Sequence, residues 1–452
     1  MSPHLIRVAV VALLPASGTA TLLSTREGTA SRRPRQTSRF RQAFTVGIAL
    51  AGLPGPATGL AAGSHVRFEV DLRAGESAAT ARIAVRQDSG ALREIALDRA
   101  LVRNVAGDGR ITVENDRLRW VPPATGGTLR YKVALSHRRQ GARAVGNDAW
   151  VGTNFAVFRG EDAFPIRSWR RARGSSLNGE LAIRLPRNWA LVTPYPSGAR
   201  GRLTIINPGS RLPRPVGWIT AGDLGIRRDR VGDIVISVTA PRGLRMERVA
   251  MLGILRWTLP QLVPQLTTVQ SRPHRINIVA AGTPMWLGAL SGPNSIFVHA
   301  DRPLISENGT STIVHEMVHV LLADLATPPD QDWIDEGLAE FLSLRAMRDS
   351  GTISSIRYDA TIAEFRRWGG PVQSLRTSSA SGPVTARAVT LFHDLDAELR
   401  AASHGRQSVA MLILKLMQST RRADLELLRT GAQRVLGKPA RALAGTAVPG
   451  FK

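Results

Sequence analysis

His315, Glu316 and His319 stand inside "TIVHEMVHVLLADL", where nearly every other residue from Ile313 to Leu322 is apolar. A helix buried on all sides accounts for the apolar residues but not for three ionisable ones. A buried charge is costly unless it is paired or bound to metal. The spacing supplies a reason for them. His315 and His319 are four apart, which on a helix puts both imidazoles on one face, a turn from each other. Both can then reach one zinc ion at about 2.0–2.1 Å. Glu316 is the next residue round, displaced sideways, so it misses the metal and faces the open position where a water binds. This is the His-Glu-x-x-His pattern, two ligands and a general base.

Such a site needs a third protein ligand, and "WIDEGLAEFL" offers Glu336. Glu340, one turn on, lies on the same face and is placed to accept a hydrogen bond from the far nitrogen of a ligand imidazole. Between the two apolar segments runs "TPPDQD". Pro328 and Pro329 cannot continue the first helix, and Asp332 is a good N-cap for the second. A short reversal there sets the helices antiparallel.

The elements that must hold these residues can be read outward from the site. "DIVISVTAP" reads as a strand, "MERVAMLGILRWTL" as a helix by its periodicity, and "HRINIVAAG" and "NSIFVHA" as two more strands. Downstream, "ARAVTLFHDLDAELR" and "QSVAMLILKLMQST" are helical. From His65 to about Ile226 the text is strand-like instead. "VRFEVDL", "ARIAVRQ", "RITVEN", "LRYKVAL", "ELAIRLP" and "GRLTIIN" alternate apolar with polar residues between Gly, Pro, Asn and Asp turns. The expectation is an α+β protein. Residues 63–226 form a β-sandwich-like support or recognition domain, 227–438 a catalytic domain with C-terminal helices, and 439–452, rich in Ala, Gly and Pro, a tail that frays.

"HEMVH" followed by "WIDEGLAEFL" resembles the gluzincin metallopeptidases, the thermolysin-like clan, and within it the peptidase MA-like and glycyl aminopeptidase-like proteins. The motif likeness covers about thirty residues. A looser one, through the N-terminal β-domain and "LPRNWALVTPYP", extends over much of the chain. The resemblance implies a thermolysin-like catalytic domain with one Zn2+ on His315, His319 and Glu336, Glu316 as general base, and Glu340 supporting a ligand. The pattern also departs from the aminopeptidase N family. The gap before the third ligand is shorter, and "LGALSGPNS" carries Ser291 where that family's edge strand has a Glu for the substrate's amino terminus. Where relatives place an oxyanion-steadying Tyr at the start of a later helix, Thr385 stands here. Tyr358 and His393 are the candidate substitutes.

The expected reaction is hydrolysis of a peptide or protein substrate. Zinc lowers the pKa of a bound water, and Glu316 takes its proton as it attacks the carbonyl and then passes it to the leaving amine. A zinc hydrolase of a non-peptide substrate and a non-catalytic binding protein on a peptidase fold are the alternatives.

Composition narrows the classes further. The chain has 452 residues, no cysteine and a net charge of +25. That excludes disulfides, thiolate metal sites and a Cys nucleophile. The charge is carried almost wholly by arginines scattered along the chain, with only Lys132, Lys415, Lys438 and Lys452 as lysines. Attraction to anionic surfaces at low salt follows, but no motif supports a specific nucleic-acid partner. Residues 1–62 read as an export leader. The basic "RRPRQTSRFRQ" precedes the short apolar "AFTVGIALAGL" and the small-residue "GPATGLAAG", with cleavage near Ala61 or Ala62. No other segment is long and apolar enough to span a bilayer, and the expected location is periplasmic or secreted.

Overall fold

The computed structural model describes residues 64–87, 90–139, 145–198, 201–206 and 212–451. The expected leader and its cleavage site lie outside these residues.

Alternation of apolar and polar residues builds the N-terminal region. His65–Asp71 buries every second side chain, pairs in parallel with Asn178–Arg184 and antiparallel with Ala78–Arg86. These strands belong to a six-stranded sheet, and four-stranded and five-stranded sheets complete the region. Phe68, Ile83, Trp120, Tyr131, Phe158 and Phe164 share one buried core. Burial of one face per strand is what fixes their register.

The second part is a mixed five-stranded sheet with helices. Its strands run in the order Leu224–Val231, Ile234–Pro241, Arg275–Ala281, Ser295–His299 and Ala289–Gly292. Leu224–Val231 forms a hairpin with Ile234–Pro241. Residues 224–226, read from the sequence as the end of the β-rich region, therefore belong to this sheet. Ile234–Pro241 and Arg275–Ala281 are parallel. They are joined by the helix Arg248–Leu266, as a parallel pair requires a long crossover. That helix runs through Pro260 and Pro264, although a proline inside a helix usually ends or kinks it. The side chains of Gln265 and Thr267 donate to the carbonyls of Gln261 and Val263 in the same turns.

Ala289–Gly292 is an edge strand, antiparallel to Ser295–His299. The β-rich region holds it from outside: the Trp218 indole donates a 2.8 Å hydrogen bond to Leu290 O, and Trp218 N–H donates to Ser295 Oγ.

Two helices carry the candidate site, the histidine helix Thr312–Leu321 and the glutamate helix Asp332–Asp349. Every residue of the first is buried. The second opens with Gln331 at its cap position rather than Asp332. Asp332 instead accepts from Ala380 N–H at 2.8 Å, and Gln331 Oε1 accepts from Leu425 N–H at 2.9 Å. The N-terminal end of this helix is thus tied to distant segments, which local capping preference cannot foresee. Four more helices, Ser355–Gly369, Pro383–Ser403, Val409–Ser419 and Leu425–Leu436, form the C-terminal lobe. Among the described residues no helix is long and apolar enough to cross a membrane.

The tail does not fray. Val448 and Phe451 are buried in the main core, Phe451 packs 6.3 Å from Trp333, and Arg376 lies 4.3 Å from the Phe451 ring centre. Leu375 N–H and Arg387 Nη2 also donate to the carbonyls of Pro449 and Ala447. A composition rich in small residues concealed two apolar anchors.

Candidate metal centre

Helical spacing stacks His315 and His319 edge to face, with their Nε2 atoms 3.1 Å apart. Glu336 reaches both: its Oε2 lies 3.5 Å from His315 Nε2 and its Oε1 3.5 Å from His319 Nε2. The three residues offer donor atoms within 4.8 Å of one another, as a single ion requires. Tetrahedral ligands at about 2.0–2.1 Å from zinc stand about 3.3 Å apart, so separations of 3.1 and 3.5 Å fit that ion. The donor set, two imidazoles and a carboxylate, is also one that zinc takes.

The outer nitrogens are held as well. His315 Nδ1 is 2.8 Å from Glu340 Oε2, and His319 Nδ1 is 3.4 Å from Asp335 Oδ2. Each imidazole therefore presents Nε2 inward and leans on a carboxylate through Nδ1, the arrangement that orients metal-binding histidines. Advancing from His315 to His319 moves the partner back from Glu340 to Asp335, so the two helices run antiparallel. Gly337 lets the glutamate helix approach Pro383–Ser403. A Cβ at this position would stand 2.5 Å from Ala388 Cβ and 3.1 Å from the Phe392 ring.

Electrostatics follow from burial against partners. Burial works against a charged His315, yet Glu336 and Glu340 outweigh it and hold its pKa well above the usual histidine value. His319 is raised in the same way, burial being overcome by Asp335 and Glu336. Glu316 is fully buried and raised by desolvation, against the opposing pull of His319 and His315. Its Oε2 accepts a 2.7 Å hydrogen bond from Ser291 N–H in the edge strand, and its Oε1 has no protein partner. One carboxylate oxygen is fixed while the other is left for a different group.

No family model and no curated protein matches the chain, but solved structures do. An M1 zinc metallopeptidase from Deinococcus radiodurans superposes with a TM-score of 0.57 at 14% identity, covering 86% of this chain and 94% of that one. A mutant of that enzyme bound to a Tyr-Ser-Ala substrate gives 0.57 and 14%, over 86% and 95%. An aminopeptidase N family protein from Idiomarina loihiensis gives 0.56 and 13%, over 86% and 74%. The fold is that of the M1 zinc metallopeptidases.

Within this M1-type fold, the structure brings together His315, Glu316, His319, Glu336 and Glu340. It does not bring Tyr358 or His393 to them. Tyr358 is buried under Arg348, whose guanidinium lies 4.9 Å from its ring centre, and its ring is 6.1 Å from that of His393. His393 pairs with Asp394 at 3.1 Å on the lobe surface. Neither residue makes a hydrogen bond or ion pair with the His315–His319–Glu336 group.

Two participants escaped the sequence reading. Asp335 had a signal, since "DEGLAE" carries three acids of which only two were assigned roles. Ser291 contributes a backbone N–H, and residue type carries no signal for that.

Proposed function

We propose that the protein is a zinc-dependent metallopeptidase of the gluzincin type, with His315, His319 and Glu336 as ligands and Glu316 as general base. The observation that carries this reading is the convergence of two imidazole nitrogens 3.1 Å apart on the Glu336 carboxylate, one of its oxygens 3.5 Å from each, with a buried carboxylate on the residue after His315 in the same helix. When bound, zinc supplies Lewis acidity, which acidifies water and polarises a carbonyl.

The chain's own residues supply the rest. Glu316 takes the proton from the attacking water on Oε1, while Ser291 N–H keeps Oε2 in place. The same carboxyl group then gives the proton to the leaving amine. Glu340 and Asp335 hold the two imidazoles in the tautomer that turns Nε2 inward. The edge strand Ala289–Gly292 runs beside the general base, so an extended peptide laid along it has its backbone next to Glu316. Peptides are the substrate class that this strand favours over a non-peptide ester or amide.

The test is a zinc determination together with a peptide-library digest, on wild type and Glu316→Gln. Stoichiometric zinc with cleavage by the wild type alone supports the reading. Absence of zinc, or equal cleavage by both proteins, removes it.

A further inference from the structure

Arg302 is a buried cation beside the site with no acidic partner. It follows the strand Ser295–His299 and is only 9% exposed. Its Nη2 donates a 3.0 Å hydrogen bond to Thr312 Oγ1, and its buried Nε has no partner. Among the described residues no carboxylate forms an ion pair with it. A guanidinium held by one neutral hydroxyl is costly to bury, because lost hydration is recovered only by good geometry with an opposite charge.

Its place relative to the reaction is set by the histidine helix. Thr312 is that helix's first residue, and Glu316 is one turn further on the same face. The Cβ of Thr312, whose hydroxyl Arg302 touches, is therefore about 5–6 Å from the Cβ of Glu316. Burial pulls the Arg302 pKa below the usual arginine value, and the Glu316 carboxylate is the one charge acting against that pull. None of the carboxylates around the centre forms an ion pair with Arg302: Glu340 Oε2 and Asp335 Oδ2 face the histidines, Glu336 faces both, and Glu316 Oε2 takes Ser291 N–H.

We propose that Arg302 receives a carboxylate of the substrate, one or two residues from the scissile bond, and makes the site selective for peptides with a negative charge there. An extended peptide advances about 3.3 Å per residue, so a span of about 5–6 Å corresponds to one to two residues. The planar guanidinium fork suits a carboxylate better than any neutral group. That carboxylate has two sources, the C-terminus of a short peptide or the side chain of Asp or Glu. The inference rests on the peptidase reading of this site.

Binding separates the two claims, because it requires no turnover. Zinc-loaded Glu316→Gln is titrated calorimetrically with four tripeptides of otherwise identical sequence. One has a free C-terminus and neutral side chains, one is its amide, and two are amides carrying Glu or Gln beside the scissile position. Arg302 predicts that at least one carboxylate peptide binds about 10- to 100-fold tighter than its neutral counterpart. The free acid against its amide reports the C-terminus, and Glu against Gln reports the side chain. Adding Arg302→Gln should bring the ratio to about one, and Arg302→Lys should restore part of it. Equal binding of acid and neutral peptides, or no binding of any, overturns the proposal. The acid preference does not need a folded Arg302 variant, since it is read on a protein with Arg302 intact. If carboxylate peptides bind preferentially but wild type cleaves none of them, Arg302's role stands and the peptidase reading fails.

Discussion

Ser291 N–H donates a 2.7 Å hydrogen bond to Glu316 Oε2, joining an edge strand of the sheet to the buried helix that carries both histidines. The role proposed for Glu316 needs one oxygen fixed and the other free, and this contact provides the first condition without using a side chain of the strand.

The most direct consequence concerns Glu316→Gln. The amide oxygen can still accept from Ser291 N–H, so the helix and the ligands should stay in place and zinc content should match wild type. Hydrolysis should fall about 10²–10⁴-fold, the usual contribution of a positioned general base. Metal analysis alongside single-turnover kinetics checks this, and a variant cutting at the wild-type rate would remove Glu316 from the reaction.

Zinc affinity should separate the ligands from their supports. Glu336→Ala removes one of three donors and should leave the protein unable to retain zinc through dialysis. Glu340→Gln and Asp335→Asn each loosen one imidazole and should weaken zinc about 10- to 100-fold. Competition with a chromophoric chelator measures all three. Equal affinity in wild type and Asp335→Asn would show that the 3.4 Å contact with His319 is incidental.

Gly337→Ala tests packing next to a ligand. The added methyl meets Ala388 Cβ at 2.5 Å, and inserting a carbon into a filled core costs about 1–3 kcal/mol. Urea denaturation of the metal-free protein should show that loss, and zinc should bind more weakly because Glu336 is the adjacent residue. Unchanged stability would mean that the two helices separate without cost.

Acid sensitivity should arise partly far from the centre. Asp162 accepts hydrogen bonds from Arg159 N–H, Nε and Nη2. Burial raises its pKa, but Arg159 and His137 outweigh that and bring it from 3.8 to about 2. A depressed carboxylate stabilises the fold above its unfolded pKa and loses that contribution as pH falls towards the folded one. Asp162 should therefore contribute about 2 kcal/mol above pH ~4, lost between there and pH ~2. Unfolding free energies of wild type and Asp162→Asn should converge over that interval. A difference independent of pH would sink the assignment.

The candidate metal site was legible because its information is local. Two histidines at helical spacing in an apolar run, and an acid pair at helical spacing on the next segment, give their faces away through the 3.6-residue period alone. The alternating strands were legible for the same reason, with a period of two. Features that failed were those where distant contacts overrode a local rule. Gln331 displaces Asp332 at a cap, and Phe451 pins a tail whose composition suggested fraying.

By itself, then, the order of residues determined which side chains share a helix face and which strands have a buried side, since backbone geometry repeats over a few residues. Tertiary structure alone decided that Ser291 meets Glu316, that Asp335 supports His319, that Arg302 bonds Thr312 one turn before Glu316, and that Tyr358 packs beneath Arg348. Those contacts join residues separated along the chain, and only the packing of sheet against helix, with its close approaches and shared burial, chooses among the many partners that local periodicity leaves possible.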